Sequence, residues 1–132
     1  MFANFLDFVI DGKKPALTEG RLPTGVKWTW LGDGIVCFEP ESIQGEVLQS
    51  VVASAGIHGD ETAPIEILSM LVADIASGKA ALKSRLLIIF GNIDAMRASC
   101  RYRDDDLNRL LMAAISSLRQ VMNHRVPRNW RT

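Results

Sequence analysis

The 132-residue chain has 15 Lys plus Arg and 15 Asp plus Glu, so its formal net charge is zero. This balance argues against a nucleic-acid-binding protein, which usually carries a basic excess for contacts with phosphates. Hydrophobic residues make up 48% of the chain, too many for a disordered protein, and no apolar run approaches the ~18 residues of a membrane span.

The opening segment, up to about Pro23, is punctuated by glycine and proline and is interpreted as a loosely built lead-in. Its apolar stretch contains Asp7 and has no early basic region, so it does not resemble a signal peptide. Cys37 and Cys100 lack paired spacing, which is typical of free thiols in a reducing compartment. We therefore expect a cytoplasmic protein with room for one domain.

The next stretch predicts a β-hairpin. Val26, Trp28 and Trp30 alternate with polar residues, which is the period of a strand. Residues 32–34 are turn material, and a second short strand is predicted over Ile35–Glu39.

A strand, a helix and a second strand are predicted next. Residues 47–55 are small and β-branched, as in a strand buried on both faces inside a mainly parallel sheet. In the following helix, Thr62 is the expected cap, Pro64 suits the first turn and Gly78 suits a left-handed end. The apolar residues at helical spacing are Ile65, Leu68, Val72 and Ile75. Residues 86–90 form a continuous apolar run, which predicts a second buried strand.

This strand–helix–strand order is a βαβ unit, for which we expect a right-handed crossover. Each predicted strand ends in a glycine turn, at Gly56 and at Gly91. Sites in such sheets lie at the carboxyl ends of the strands. The polar residues of both turns are therefore expected at one edge of the sheet.

His58 and Glu61 lie three residues apart in the first of these turns. Imidazole and carboxylate groups are good zinc ligands, and Gly56 and Gly59 let the backbone bend tightly around a ligand. A turn that merely caps the helix would look similar. The residues alone leave both interpretations open.

The second polar constellation is the charged run over residues 101–109, RYRDDDLNR. Its guanidinium groups could bind substrate carboxylates in two-point geometry. It could equally be a solvated loop that begins a helix, since acidic residues are favourable there.

The two motifs together, GIHGDETAPIE and GNIDAMRASCRYRDDDLNR, resemble the succinylglutamate desuccinylase and aspartoacylase family, which is related to the zinc carboxypeptidases. The segments GKKPALTEG and GVKWTWLGDG extend the resemblance over roughly residues 5–110. It implies an α/β fold with a mainly parallel or mixed sheet and flanking helices, zinc-carboxypeptidase-like and truncated. Residues 1–132 would be a single amino-terminal portion of such a hydrolase domain.

The resemblance assigns roles to residues of both motifs. It places two ligands of one zinc ion at His58 and Glu61. It places residues that bind a substrate carboxylate at Arg101, Asn108 and Arg109. Arg103 falls on a variable position and receives no role, and Asp106 is expected to orient a neighbour rather than to catalyse.

The implied reaction is hydrolysis of N-succinylglutamate to succinate and glutamate, in the succinyl route of arginine breakdown. It requires a metal-activated water, a proton shuttle and cationic anchors for a small N-acyl amino acid. Another N-acyl amino acid or a peptide terminus remains an alternative substrate. No nucleic-acid or membrane partner is expected, and the oligomeric state stays open.

The family's third zinc ligand, a His, and its general base, a Glu, are expected beyond this chain. His124 is the only other histidine, and its surroundings do not match the third-ligand context. We therefore expect an incomplete and inactive site, with a non-enzymatic fragment or weak binder of anionic metabolites as the alternative. Completion of the site across a homo-oligomer through His124 is a further alternative.

Residues 111–132 are interpreted as a tail that departs from the family. Loss of one base after codon 110 would explain the departure, because restoring it allows a family-like Phe-Asn-Gly continuation. The competing interpretation is an ordinary helix, since Leu107, Leu111, Ile115, Leu118 and Met122 share one helical face.

Overall fold

The computed structural model describes residues 1–42 and 46–125, with side chains described as far as Ser116 in the last helix. A 3-10 turn over Phe2–Asn4 precedes the first helix. The helices and strands follow in chain order: α1 (Phe5–Ile10), β1 (Glu19–Arg21), β2 (Lys27–Gly32), β3 (Ile35–Glu39), β4 (Ser50–Ala55), α2 (Thr62–Ser77), β5 (Arg85–Phe90), α3 (Ile93–Arg97) and α4 (Leu107–Arg125).

The five strands form one mixed sheet in the order β1-β2-β3-β5-β4. The pairs β1–β2, β2–β3 and β3–β5 are antiparallel, and β4–β5 is parallel. The predicted hairpin is confirmed, with a register irregularity between Trp30 and Gly32 and with Gly34 at a φ of 67° in the turn. The mixed α/β sheet with flanking helices confirms the expected fold class.

The prediction that residues 47–55 form an interior strand is wrong. The strand begins only at Ser50, and it lies at one edge of the described sheet. Val47 is 92% exposed and Val52 is 63% exposed. An apolar, β-branched run has the composition of a buried strand, but it does not reveal whether described residues cover its faces.

The interpretation of the opening segment as a loose lead-in is also wrong. Phe2, Phe5 and Val9 are buried at the spacing of one helical face. The ring of Phe5 stacks on Phe90 with 5.6 Å between centroids, and the ring of Phe2 lies 5.3 Å from that of Phe38. The segment packs against the aromatic core. Its helix is only six residues long, and the glycines and prolines that follow it dominate the composition of the segment.

Helix α2 follows the prediction closely. Its buried residues are Ile65, Leu68, Val72 and Ile75. Gly78 ends it with a φ of 78°, a left-handed conformation that glycine adopts without a steric cost. Thr62 is the first helical residue rather than the cap, because Glu61 occupies the cap position without a side-chain cap hydrogen bond.

The carboxyl ends of β4 and β5 meet at one edge, as the βαβ interpretation required. The N–H of Gly91 donates to the carbonyl of Ala55 at 2.8 Å, and the N–H of Asn92 donates to Gly56 at 2.7 Å. The Asn92 side chain then caps α3 by accepting a hydrogen bond from the N–H of Ala95 at 3.1 Å. These bonds fix both glycine turns against the start of a short helix that the sequence analysis did not predict.

The tail after residue 110 lies mostly within α4, which agrees with its interpretation as a helix and leaves the lost-base hypothesis untested. Its first turns carry exposed apolar side chains at Leu110, Leu111, Met112 and Ile115. Within the described residues, the helices are all too short or too polar to cross a bilayer.

Candidate functional site

The two polar motifs converge on His58. Its side chain is 8% exposed and lies between two carboxylates. Nδ1 is 2.9 Å from Oε1 of Glu61, in the same turn, and Nε2 is 3.2 Å from Oδ1 of Asp106, 48 residues further along the chain. The side chain of Glu61 is 55% exposed and that of Asp106 is 15% exposed. The Glu61 side of the ring therefore opens to solvent, whereas the Asp106 side is enclosed.

Backbone hydrogen bonds hold the two motifs against each other. The N–H of Gly59 donates to the carbonyl of Arg101 at 3.1 Å, which joins the turn to the charged run. Oδ1 of Asp106 also accepts a hydrogen bond from the N–H of Asn108 at 3.0 Å. Because Asp106 immediately precedes α4, this is the hydrogen bond of a helix N-cap. One carboxylate thus both begins a helix and orients the imidazole.

Gly59 lies too close to α3 for any side chain. A Cβ at this position would overlap backbone atoms of Ala95 and Met96, which cannot rotate away as a side chain can. The glycines of the turn predict a tight bend here but not this contact. The nearest signal was Asn92, a good N-cap residue two positions after the end of the apolar strand, which could have predicted α3.

The neighbouring carboxylates raise the pKa of His58. The hydrogen bond to Glu61 is the largest cause, and Asp106 adds to it, whereas burial and the charge of Arg101 act in the opposite direction. For Asp106, burial raises the pKa, but the hydrogen bonds from His58 and Asn108 and two nearby positive charges bring it below its ordinary value. The arrangement therefore favours a positively charged imidazole between two carboxylates.

The donor set on the Glu61 side fits a zinc ion. Two ligands of a tetrahedral zinc, each about 2.0–2.1 Å from the metal, lie about 3.3 Å apart, so the 2.9 Å separation needs only slight widening. Asp106 contacts the opposite ring nitrogen and cannot share that ion with Nδ1. It occupies the place of the carboxylate that commonly orients a metal-binding histidine.

Further ligands are not brought to this position by the described part of the chain. Within it, no group of three or more His, Cys, Asp and Glu side chains is arranged to hold a metal ion. Cys37 and Cys100 are unpaired thiols outside the His58 contacts. The side chain of His124 lies outside the described residues.

The predicted carboxylate-binding residues lie in the chain on either side of Asp106, which contacts His58. Arg101 is close enough for its positive charge to lower the pKa of both His58 and Asp106. Asn108 and Arg109 lie in the first turn of α4, directly after Asp106. All three are exposed, and neither arginine forms an ion pair with another described residue. The two guanidinium groups are therefore available to an anion from solution.

Comparison with known proteins identifies the family that the two motifs resemble. The family model of the succinylglutamate desuccinylase/aspartoacylase catalytic domain matches residues 47–126. A succinylglutamate desuccinylase of Paraburkholderia xenovorans is 54% identical over 127 residues, covering 95% of this chain and 36% of that protein. One from Burkholderia orbicola is 55% identical over 108 residues, covering 81% of this chain and 32% of that protein.

Solved structures agree with this result. The succinylglutamate desuccinylase of Chromobacterium violaceum superposes with a TM-score of 0.70 at 39% identity, covering 82% of this chain and 34% of that chain. The enzyme of the same name from Vibrio cholerae gives a TM-score of 0.70 at 32% identity, covering 79% and 31%. The chain thus spans about a third of the length of the relatives it matches.

Proposed function

Because the chain belongs to the succinylglutamate desuccinylase/aspartoacylase catalytic-domain family, we propose that it carries the metal-binding and carboxylate-binding part of a zinc-dependent amide hydrolase. The proposed substrate is N-succinyl-L-glutamate, and the products are succinate and L-glutamate, in the cytoplasmic breakdown of arginine. The observation that carries the proposal is the enclosed imidazole of His58, held on one nitrogen by Asp106 and facing Glu61 with the other.

In this proposal His58 and Glu61 hold one zinc ion. A bound zinc would supply an acidified water and a polarised carbonyl oxygen. Asp106 keeps the proton of the imidazole on Nε2, which leaves the lone pair of Nδ1 directed at the open side of the ring. The enclosed position of Asp106 limits competition from water for this hydrogen bond.

Arg101, Asn108 and Arg109 bind the carboxylates of the substrate in this proposal. A guanidinium group donates two parallel hydrogen bonds to a carboxylate, which fixes the orientation of the acid as well as its position. The side-chain amide of Asn108 adds a neutral donor beside them. A dicarboxylic or tricarboxylic substrate suits such a surface, because several anchors can act on one molecule.

The described residues supply two ligands and the anchors, but they bring no third ligand to His58 and Glu61. We therefore propose that residues 1–132 alone show no turnover of N-succinylglutamate. The chain would then act at most as a weak binder of anionic metabolites. A different N-acyl amino acid or a peptide terminus stays an alternative substrate, because the proposed anchors would bind the carboxylate of any of these acids.

Zinc titration by calorimetry tests the metal site. We expect weak binding that His58→Ala and Glu61→Gln abolish. Asp60→Asn is the matched control, because Asp60 is an exposed carboxylate of the same turn and forms no side-chain hydrogen bond with the described residues. Equal zinc binding by the wild type and His58→Ala would show that the metal assignment is wrong.

Changes in NMR chemical shifts on addition of N-succinylglutamate test whether Arg101, Asn108 and Arg109 bind the substrate. Arg101→Ala and Arg109→Ala should each weaken binding, whereas Arg103→Ala should not, because Arg103 has no assigned role. Turnover by the 132-residue chain that His124→Ala abolishes would instead favour a site completed between copies of the chain.

The departure of the chain from the family after residue 110 stays a prediction, although the family model matches as far as residue 126. The coding DNA tests it directly. Family-like sequence in the next reading frame is expected after codon 110, and its absence would refute the lost-base hypothesis.

A further inference from the structure

A single guanidinium group ties α3 to the end of the amino-terminal helix. Arg97 is the last residue of α3. Its Nε donates to the carbonyl of Ile10 at 3.0 Å, and its Nη2 donates to the carbonyl of Val9 at 2.8 Å. These carbonyls belong to the last turn of α1, where C=O groups lack partners inside the helix, and that of Val9 also accepts the N–H of Gly12 at 3.0 Å. Arg97 therefore adds two donors to the end of α1 from a different part of the chain.

The same side chain also faces two carboxylates. Nη2 of Arg97 is 3.8 Å from Asp33, in the turn between β2 and β3, and Nη1 is 3.5 Å from Asp94 at the start of α3. Asp33 in turn accepts a hydrogen bond from Lys14 at 3.1 Å. The side chain of Arg97 is 32% exposed, and its hydrogen bond to Val9 is partly buried, whereas that to Ile10 is exposed. The guanidinium group of Arg97 thus joins three segments, namely α1, the turn between β2 and β3, and α3.

Helix α3 is also the surface against which the His58 turn rests. The backbone of Ala95 and Met96 lies directly against Gly59, with no room for a Cβ. The chain leaving α3 is fixed by a hydrogen bond from Cys100 N–H to Ala95, and the next residue, Arg101, accepts the N–H of Gly59. A displacement of α3 would therefore move the backbone on two sides of Gly59, next to the buried imidazole.

We propose that Arg97 is a positioning residue, which sets the place of the His58 turn by fixing α3 to the end of α1. The proposal rests on the proposed function for its consequence at the metal, but its structural part concerns His58 alone. Lysine should not replace Arg97, because an ammonium group at one point cannot reach two carbonyls and two carboxylates as a planar fork does.

The test uses the 132-residue chain in a His124→Gln background, which leaves His58 as the only histidine. The first readout is the pair of imidazole 15N resonances without metal, which report the protonation and hydrogen bonding of each ring nitrogen. Arg97→Ala should shift both resonances. Arg85→Ala is the matched control, since Arg85 pairs with Glu39 at 2.7 Å at the opposite end of β5, and it should leave them unchanged.

The second readout is zinc affinity, which should fall about tenfold in Arg97→Ala and stay unchanged in Arg85→Ala, as for other residues that orient metal ligands. Zinc binding insensitive to His58→Ala would overturn the proposed function, whereas the metal-free resonances test the role of Arg97 independently. Unshifted resonances in a folded Arg97→Ala chain would overturn the inference.

Arg97→Lys guards against a variant that fails to fold. Lysine keeps the charge beside Asp33 and Asp94, so the fold should survive, and the imidazole resonances should still shift. If they match those of the wild type, the fork geometry is irrelevant and the inference is wrong.

Gly59→Ala tests whether Arg97 acts on His58 through the contact between Gly59 and α3. Both changes act on the contact between Gly59 and α3, so the combined loss of zinc affinity with Arg97→Ala should be smaller than the sum of the single losses. Strict additivity would show that Arg97 acts on His58 by another path.

Discussion

The burial of Phe5 predicts that the amino-terminal helix is a large contributor to stability. Phe5 is completely buried, and its ring contacts Phe2, Trp30 and Phe90 with centroid separations of 6.2, 6.2 and 5.6 Å. Removing a buried phenylalanine ring costs about 3–5 kcal/mol, because both transfer energy and packing are lost. Small domains are stable by about 5–15 kcal/mol, so Phe5→Ala should remove a large share of the free energy of unfolding.

Urea unfolding followed by tryptophan fluorescence measures this loss. With a slope of about 2 kcal/mol per molar urea, a loss of about 4 kcal/mol lowers the midpoint by about 2 M. Leu17→Ala is the control, because Leu17 is 68% exposed in the same opening segment, and it should cost less than about 0.5 kcal/mol. Equal midpoints for the two variants would refute the placement of α1 in the core.

Two further predictions concern the pKa of His58 and the backbone conformation of Ser99. In the metal-free chain, NMR titration should give His58 a pKa above the ordinary value of 6.5, and Glu61→Gln should lower that pKa more than Asp60→Asn. Because the raised pKa reflects a favoured protonated form, its stabilising contribution is present below the unfolded-state pKa and is lost as the pH rises through the folded-state pKa. Ser99 has a φ of 49°, so Ser99→Gly should stabilise the chain by about 0.5–1 kcal/mol in thermal unfolding, whereas Ser77→Gly within α2 should destabilise it.

The sequence predicted those elements whose periodicity is long or sharply bounded. The 16-residue helix α2 has four buried positions at helical spacing, and the hairpin has alternating residues around a glycine turn. The six-residue helix α1 was missed because its apolar residues form only one short buried face and are followed at once by Gly12 and Pro15. The exposure of β4 was missed because composition indicates that a strand can be buried but does not show whether other residues pack against it.

The candidate site was predictable to the extent that its parts follow strand ends. His58 and Glu61 are neighbours in sequence, and the parallel pairing of β4 and β5 brings the second motif to the same edge. The pairing of His58 with Asp106 depends on the path of the chain through α3, which no local pattern encodes. The contacts of Arg97 with backbone carbonyls were equally invisible, because a carbonyl has no sequence signature.

The outer edge of β4 affects the tendency of the chain to aggregate at high concentration. Residues 50–55 contain no charge and no proline, the features by which natural sheets keep open borders from joining. With 15 positive and 15 negative side chains, mutual repulsion between molecules is weakest near neutral pH. Samples should therefore remain clear longest in buffers well away from neutrality, and turbidity should rise first near pH 7.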